Sequence, residues 1–271
     1  MKNLLNITLS TIVALFFMTS CEKNDGAEIV PEKEVEISNK EMANDKNPYD
    51  KTGAIHNEYL DFFIKNVNTS EEINLDRVLL ITEKFYAENE LDYGGDEKER
   101  YVALFNTYSE AQEIGGPVID YICRQYPWIC DIITPSPFNP LPDFNFLSSS
   151  NGGTSTDRTL EFIEKVKSAE VKLINDERLE GKELETVLNY FAVARYSAAY
   201  WHNVAYVQKG RSPWHGPFTE AEAAEACHVC DVVGADAAGA VVGGIAGPVG
   251  AGVGAGVASA GAVLEKLWRW W

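Results

Sequence analysis

From Asn47 onward, apolar side chains recur at three- and four-residue steps: Ile55, Tyr59, Phe62, Phe63 and Val67 fall on one face of a helix. A second helix is predicted from about Glu71 to Glu90, with Gly94-Gly95 ending the region after it. A third runs from about Glu97 to Glu113, carries Tyr101, Leu104, Phe105 and Tyr108, and stops at Gly115-Gly116-Pro117. Val118 to Ile133 is apolar and interrupted by Pro127, the pattern of a buried helix with a bend. Residues 134–156 collect Pro, Ser, Asn and Gly as a long loop does, with Phe138, Leu141, Phe144 and Phe146 expected to pack down on the domain. Two long amphipathic helices follow, Asp157 to about Leu179 and Lys182 to about Lys209. The second holds Leu184, Val187, Leu188, Phe191, Val193, Tyr196, Tyr200 and Trp201, an apolar face wide enough for the centre of a bundle. No stretch shows the two-residue alternation of a half-buried strand, so the expected fold class is all-α: a helical bundle with a Gly/Ala-rich C-terminal hairpin or kinked helix.

That last segment, residues 219–271, is set apart by its small side chains. Thr219 with Glu222 three residues on is a capping box, nucleating a helix through Ala221 to Cys230. Residues 232–264 then carry ten of the chain's 21 glycines, and from Ala237 to Leu264 there is no charge. Gly239, Gly243 and Gly247 are spaced by four, as are Gly252, Gly256 and Ala260, which in a helix makes a smooth groove for another helix backbone. Glycine is disfavoured by about 1 kcal/mol per helical position relative to alanine, so such a helix needs a partner packed against it. The partner is either a bilayer or second copy reached through residues 232–271, or the protein's own domain. Gly247-Pro248 marks a kink or turn between two arms. The closing Leu267-Trp268-Arg269-Trp270-Trp271 has the makeup of an interfacial anchor, and equally of a terminal helix covering a core.

The N-terminus reads differently. Lys2, the apolar run Leu4 to Met18 and the small residues before Cys21 form a signal peptide over residues 1–20, and Thr19-Ser20-Cys21 resembles a bacterial lipobox. The resemblance implies cleavage before Cys21 and a lipid on that cysteine, hence a membrane partner through Cys21. Residues 21–47 are acidic, poor in aromatics and without sustained periodicity, the composition of a flexible tether. The helical domain is expected over 48–210, with its loop at 134–156.

Charge and composition narrow the function classes. With 45% hydrophobic residues, 12 Tyr, 12 Phe and 6 Trp, the bulk of the 271 residues folds. A net charge of −18 with no basic cluster excludes nucleic-acid binding as a partner class. Setting Cys21 aside leaves Cys123, Cys130, Cys227 and Cys230, an even set that in an exported protein points to disulfides; sequence leaves three pairings open. Cys227-His228-Val229-Cys230 is a CxxC without the following histidine of haem attachment and without a predicted strand beside it. A structural disulfide is favoured over redox exchange or a zinc site. His56, His202 and His215 lack metal-ligand spacing and read as packing or surface residues. No catalytic residues, metal or cofactor are predicted.

Asn47-Pro48-Tyr49-Asp50, Gly53, His56-Asn57 and Leu60-Asp61, with Ala194-Arg195-Tyr196-Ser197, Tyr200-Trp201 and the run Asp236-Ala237-Ala238-Gly239-Ala240, resemble a group of uncharacterised Bacteroidetes-type lipoproteins. The resemblance implies an outer-membrane, lipid-anchored location on the cell surface or periplasmic face, and no activity. The expected function is a non-enzymatic envelope protein whose glycine-rich tail serves membrane association or self-assembly. The alternatives are a thiol-disulfide exchange enzyme using the CxxC, a contact-dependent glycine-zipper toxin, and a ligand-binding module using Phe138 to Phe146.

Overall fold

The computed structural model describes residues 34–67, 74–114, 147, 154–175, 177, 179–208 and 228–268; the side chains of 107–114, 228–231, 245 and 262–268 lie outside the description. These residues form eight helices and no strand, an all-α bundle. In chain order they are α1 (Asn39–Met42), α2 (Lys51–Asn66), α3 (Leu75–Glu88), α4 (Gly95–Ile114), α5 (Ser155–Ile174), α6 (Gly181–His202), α7 (His228–Gly243) and α8 (Gly247–Trp268). A π-helical turn, Asn203–Val207, continues α6, and a 3₁₀ turn, Gly244–Ala246, joins α7 to α8.

Local chemistry sets several of these boundaries. Asn74 caps α3 by accepting from the Arg77 N–H, and Thr154 with Asp157 forms a capping box that starts α5. Ser38 and Glu41 do the same for α1. The helices expected at Glu71–Glu90, Glu97–Glu113, Asp157–Leu179 and Lys182–Lys209 are α3 to α6, shifted by a few residues. The segments expected to form a helix at 118–133, a loop at 134–156 and a capped helix start at Thr219 lie mostly outside the described residues.

The interior is built around α6 and the α7–α8 hairpin. Every residue of α6 from Val187 to Ala199 is buried, so this helix is enclosed on all sides by α2, α5 and α7 rather than by one face. The α8 helix lies against α7, α2 and α4, and α3 packs on α2 and α4. Aromatic rings fill the α2–α3–α4 junction: Tyr59 and Phe62 each meet Phe85 edge-on at 5.3 Å between centroids, and Tyr86 and Tyr101 share a hydroxyl hydrogen bond of 2.6 Å.

One boundary moves. The compact unit begins at Glu34, not Pro48, because the acidic segment before the first long helix is docked rather than free along its C-terminal half. Ile37 and Met42 are 2% and 3% exposed, and the Ile37 backbone is bonded in both directions to the Asn203 amide (2.9 and 3.0 Å). Isolated apolar residues without periodicity suffice here because neighbouring side chains, not a helical face, supply the partners.

Candidate functional site

The glycine-rich segment is the centre of the bundle. Its arms run antiparallel as α7 and α8, and small residues allow their backbones to touch: a Cβ on Gly239 would lie 2.7 Å from both the Ala258 Cβ and the Gly254 carbonyl oxygen, and one on Gly243 would lie 2.8 Å from the Gly250 carbonyl carbon. The opposite face of α8 is taken by α2. A Cβ on Gly252 would sit 2.8 Å from Ile55 Cγ2 and 2.9 Å from the Thr52 carbonyl oxygen, and one on Gly256 would sit 2.7 Å from Tyr59 Cε1. Of the two kinds of partner the sequence left open, the protein's own domain fills both grooves. Gly247 is the exception among the five packing candidates. It has φ +89° and nothing near its missing side chain, so it serves as the turn between the arms.

One charged side chain is buried among the small residues of this hairpin: Asp236 on α7 is fully buried, with partners on α2, α6 and α8. Ser197 Oγ donates to Oδ2 at 2.6 Å and Trp201 Nε1 donates to the same oxygen at 3.0 Å, both from α6; Ser259 Oγ of α8 donates to Oδ1. From α2, His56 Nε2 lies 3.1 Å from Oδ2, close enough to pair as charges although the ring N–H is not aligned for a hydrogen bond. The Asn57 amide donates to the Tyr196 carbonyl, which leaves its Oδ1 to accept from His56 Nδ1 at 2.9 Å. Nδ1 is thus the ring's donor to Asn57, and Nε2 stands beside the carboxylate in a closed interior without a hydrogen bond to it.

A second polar cluster surrounds Arg195, also fully buried on α6. Its Nε and Nη2 donate to Glu170 Oε1 of α5 at 3.2 and 2.9 Å, Nη2 donates to Asp50 Oδ1 at 2.6 Å, and Nη1 donates to the Met42 carbonyl. Glu170 is completed by the Asn44 and Asn47 amides at 2.5 and 2.7 Å, and Tyr196 donates its hydroxyl to Asp50 Oδ2. Burial, then the Asp50 charge and the hydrogen bond to it, push the Tyr196 phenol up to about 12.

Ser, His and Asp in contact invite comparison with a catalytic triad, and the wiring differs. In a triad the imidazole stands between hydroxyl and carboxylate, taking the hydroxyl proton. Here the carboxylate stands in the middle: Ser197 and Ser259 spend their protons on Asp236, and His56 reaches neither hydroxyl. Ser197, His56, Asp236 and Ser259 are all 0% exposed. The arrangement holds helices together rather than activating a nucleophile.

Nine of the residues quoted for the resemblance lie in these clusters. Asn47, Asp50, His56, Asn57, Arg195, Tyr196, Ser197, Trp201 and Asp236 are all members, and Gly53 lets α2 approach α6, its absent Cβ falling 2.6 Å from the Ala192 carbonyl oxygen. Asp236 went unrecognised as a hub. The signal available was its position as the last charge before 28 uncharged residues. His56 and His202 are both buried packing residues, as expected; His215, Cys21, Cys123, Cys130 and Cys227 lie outside the described residues, and so does the side chain of Cys230. The disulfide and thiol-exchange expectations fall there too, as do the aromatics Phe138 to Phe146. Among the described residues no group of His, Cys, Asp and Glu is arranged to hold a metal ion, and no helix is long and apolar enough to cross a membrane.

The fold and its interior define the class, an all-α bundle with a buried glycine hairpin. No family model, curated protein or solved structure matches the chain.

Proposed function

We propose that the chain is a lipid-anchored protein of the bacterial outer membrane, on its cell-surface or periplasmic face, carried by a lipid on Cys21, and that its folded part is a non-enzymatic helical interaction domain. The supporting observation is the internal use of the glycine faces: Gly239 and Gly243 meet the other arm, and Gly252 and Gly256 meet α2. A hairpin so occupied is a core element, and membrane contact is left to the N-terminal lipid. Membrane insertion or self-association through the glycine faces between Gly239 and Gly256 would require the hairpin to leave α2 and α6 and Asp236 to surrender its partners.

The test is fractionation of the Cys21→Ser protein in a bacterial host, beside incorporation of labelled fatty acid. Loss of label together with release from membranes by alkaline washing is the expected result. Retention of the unlipidated protein in washed membranes would overturn the reading and make the hairpin the anchor. Unchanged fatty-acid labelling would remove Cys21 as the lipid site.

A further inference from the structure

Three phenols meet where α3 turns into α4, apart from the polar clusters around Asp236 and Arg195. Tyr86 on α3 and Tyr101 on α4 are 2% and 1% exposed and stand head to head, their hydroxyl oxygens 2.6 Å apart and their ring centroids 6.5 Å apart at 51°. Tyr93, in the connection between the two helices, is half-buried. Its ring lies 5.0 Å from that of Tyr86 and stacks on that of Tyr101 at 6.3 Å and 13°. Its hydroxyl is buried without a hydrogen-bond partner, so Tyr93 meets both neighbours through its ring and bonds to neither hydroxyl.

We propose that Tyr86 and Tyr101 are an oxidative cross-linking site, joined ortho carbon to ortho carbon as dityrosine when the protein meets a one-electron oxidant of the peroxidase–hydroperoxide class, with the Tyr93 ring as the path by which electrons leave. Geometry selects the pair. The carbon that couples is two bonds from the hydroxyl oxygen, so a hydroxyl-to-hydroxyl hydrogen bond brings the two reactive edges together, and the biphenol that forms keeps those hydroxyls adjacent. Coupling asks only that the rings close in from their present separation about that fixed point. Tyr93 lacks the head-to-head contact, and its stacking on Tyr101 sets face against face, where an edge-to-edge bond does not form. Each of the two phenols gives one electron to the oxidant and loses its hydroxyl proton. The two phenoxyl radicals then pair their spins in a carbon–carbon bond, and the hydrogens left on the bonded carbons move to the oxygens and restore both hydroxyls. Two tyrosines thus lose two electrons and two protons, which reduce the hydroperoxide to an alcohol and water. Burial pushes the Tyr86 phenol up to about 12 and the Tyr101 phenol well above its ordinary value, so both meet the oxidant as neutral phenols and need a base for the proton. Glu97, in the first turn of α4, is the carboxylate whose charge acts on all three phenols, and it fills that role. A bond between residues 15 apart in sequence fastens α3 to α4 and restrains the unfolded chain as a disulfide does.

The test is made on dilute, folded Cys21→Ser protein with tris(bipyridine)ruthenium, persulfate and light as the oxidant. Trypsin cuts after Lys98 and Arg100 and so separates Tyr86 from Tyr101. The monomer fraction is expected to yield one joined pair of peptides carrying these two residues, lighter by two hydrogens than their sum, fluorescent as dityrosine and absent from Tyr101→Phe. Its yield is expected to be severalfold higher than from the same protein unfolded in urea, and Tyr93→Phe is expected to form it severalfold more slowly. Absence of the joined peptides from oxidised, folded monomer overturns the proposal, as does an equal yield in urea; an unchanged rate in Tyr93→Phe overturns the path assigned to that ring. The comparison of folded with unfolded protein uses no tyrosine substitution and decides the matter if Tyr101→Phe fails to fold.

Discussion

Gly243→Ala separates a packed glycine hairpin from a free one. In an unencumbered helix the substitution stabilises by about 1 kcal/mol through propensity and lost unfolded-state freedom. At Gly243 the new methyl would meet backbone of the opposite arm, 2.8 Å from the Gly250 carbonyl carbon and 3.1 Å from Gly254 Cα. Backbone atoms in a helix cannot rotate away, so the arms must separate. Overpacking of this kind typically costs about 1–3 kcal/mol, and contact this close places Gly243 at the upper end, leaving a net loss of about 2 kcal/mol after the propensity gain. For a domain of this size that lowers the melting temperature by roughly 4–8 °C. Gly95→Ala is the control: it begins α4 with nothing within 4 Å of the added atom, and the expected change is neutral to slightly stabilising. Thermal and urea unfolding of both variants by circular dichroism measure the difference. A Gly243→Ala protein as stable as Gly95→Ala would refute the interdigitated arms, and with them the argument that the hairpin's grooves are closed to outside partners.

Asp236→Ala takes the acceptor from the buried donors of Ser197, Trp201 and Ser259; at about 1–3 kcal/mol for each donor left unsatisfied, the expected loss is at least about 3 kcal/mol. In urea unfolding, His56→Ala combined with Asp236→Ala should lose less than the two single losses added, and strict additivity would show that the two side chains do not interact. At alkaline pH the tyrosine cluster sets a limit. Burial first, and then the neighbouring phenols and carboxylates, push Tyr93 up to about 12; Tyr86 reaches about 12 through burial, despite its hydrogen bond to Tyr101. Because the unfolded chain ionises near 10, the native state holds more protons between pH 10 and 12, and stability should decline across that window. Tyrosinate absorbance that rises near pH 10 without unfolding would show that these phenols are open to water.

The helices were legible from the chain alone because each of α2, α3, α5 and α6 carries its own periodicity, and caps at Asn74 and Thr154 are chosen by neighbours in sequence. The turn at Gly247-Pro248 was legible for the same reason: a positive φ and a proline are local demands. That small residues at spacing four need a close partner was also readable, since glycine destabilises a helix left alone. Which partner was not. Gly252 and Gly256 look alike in sequence whether they face lipid, a second copy or Tyr59, and the choice was made by the fit of α2 against α8 across nearly two hundred residues of chain. The polar interior has the same character. Ser197, His56 and Asp236 are ordinary residues in three distant segments, and only their convergence in a water-free core makes their mutual hydrogen bonds obligatory. Local patterning thus determined the elements, while burial, a property of the assembled bundle, decided what the glycines and charges do.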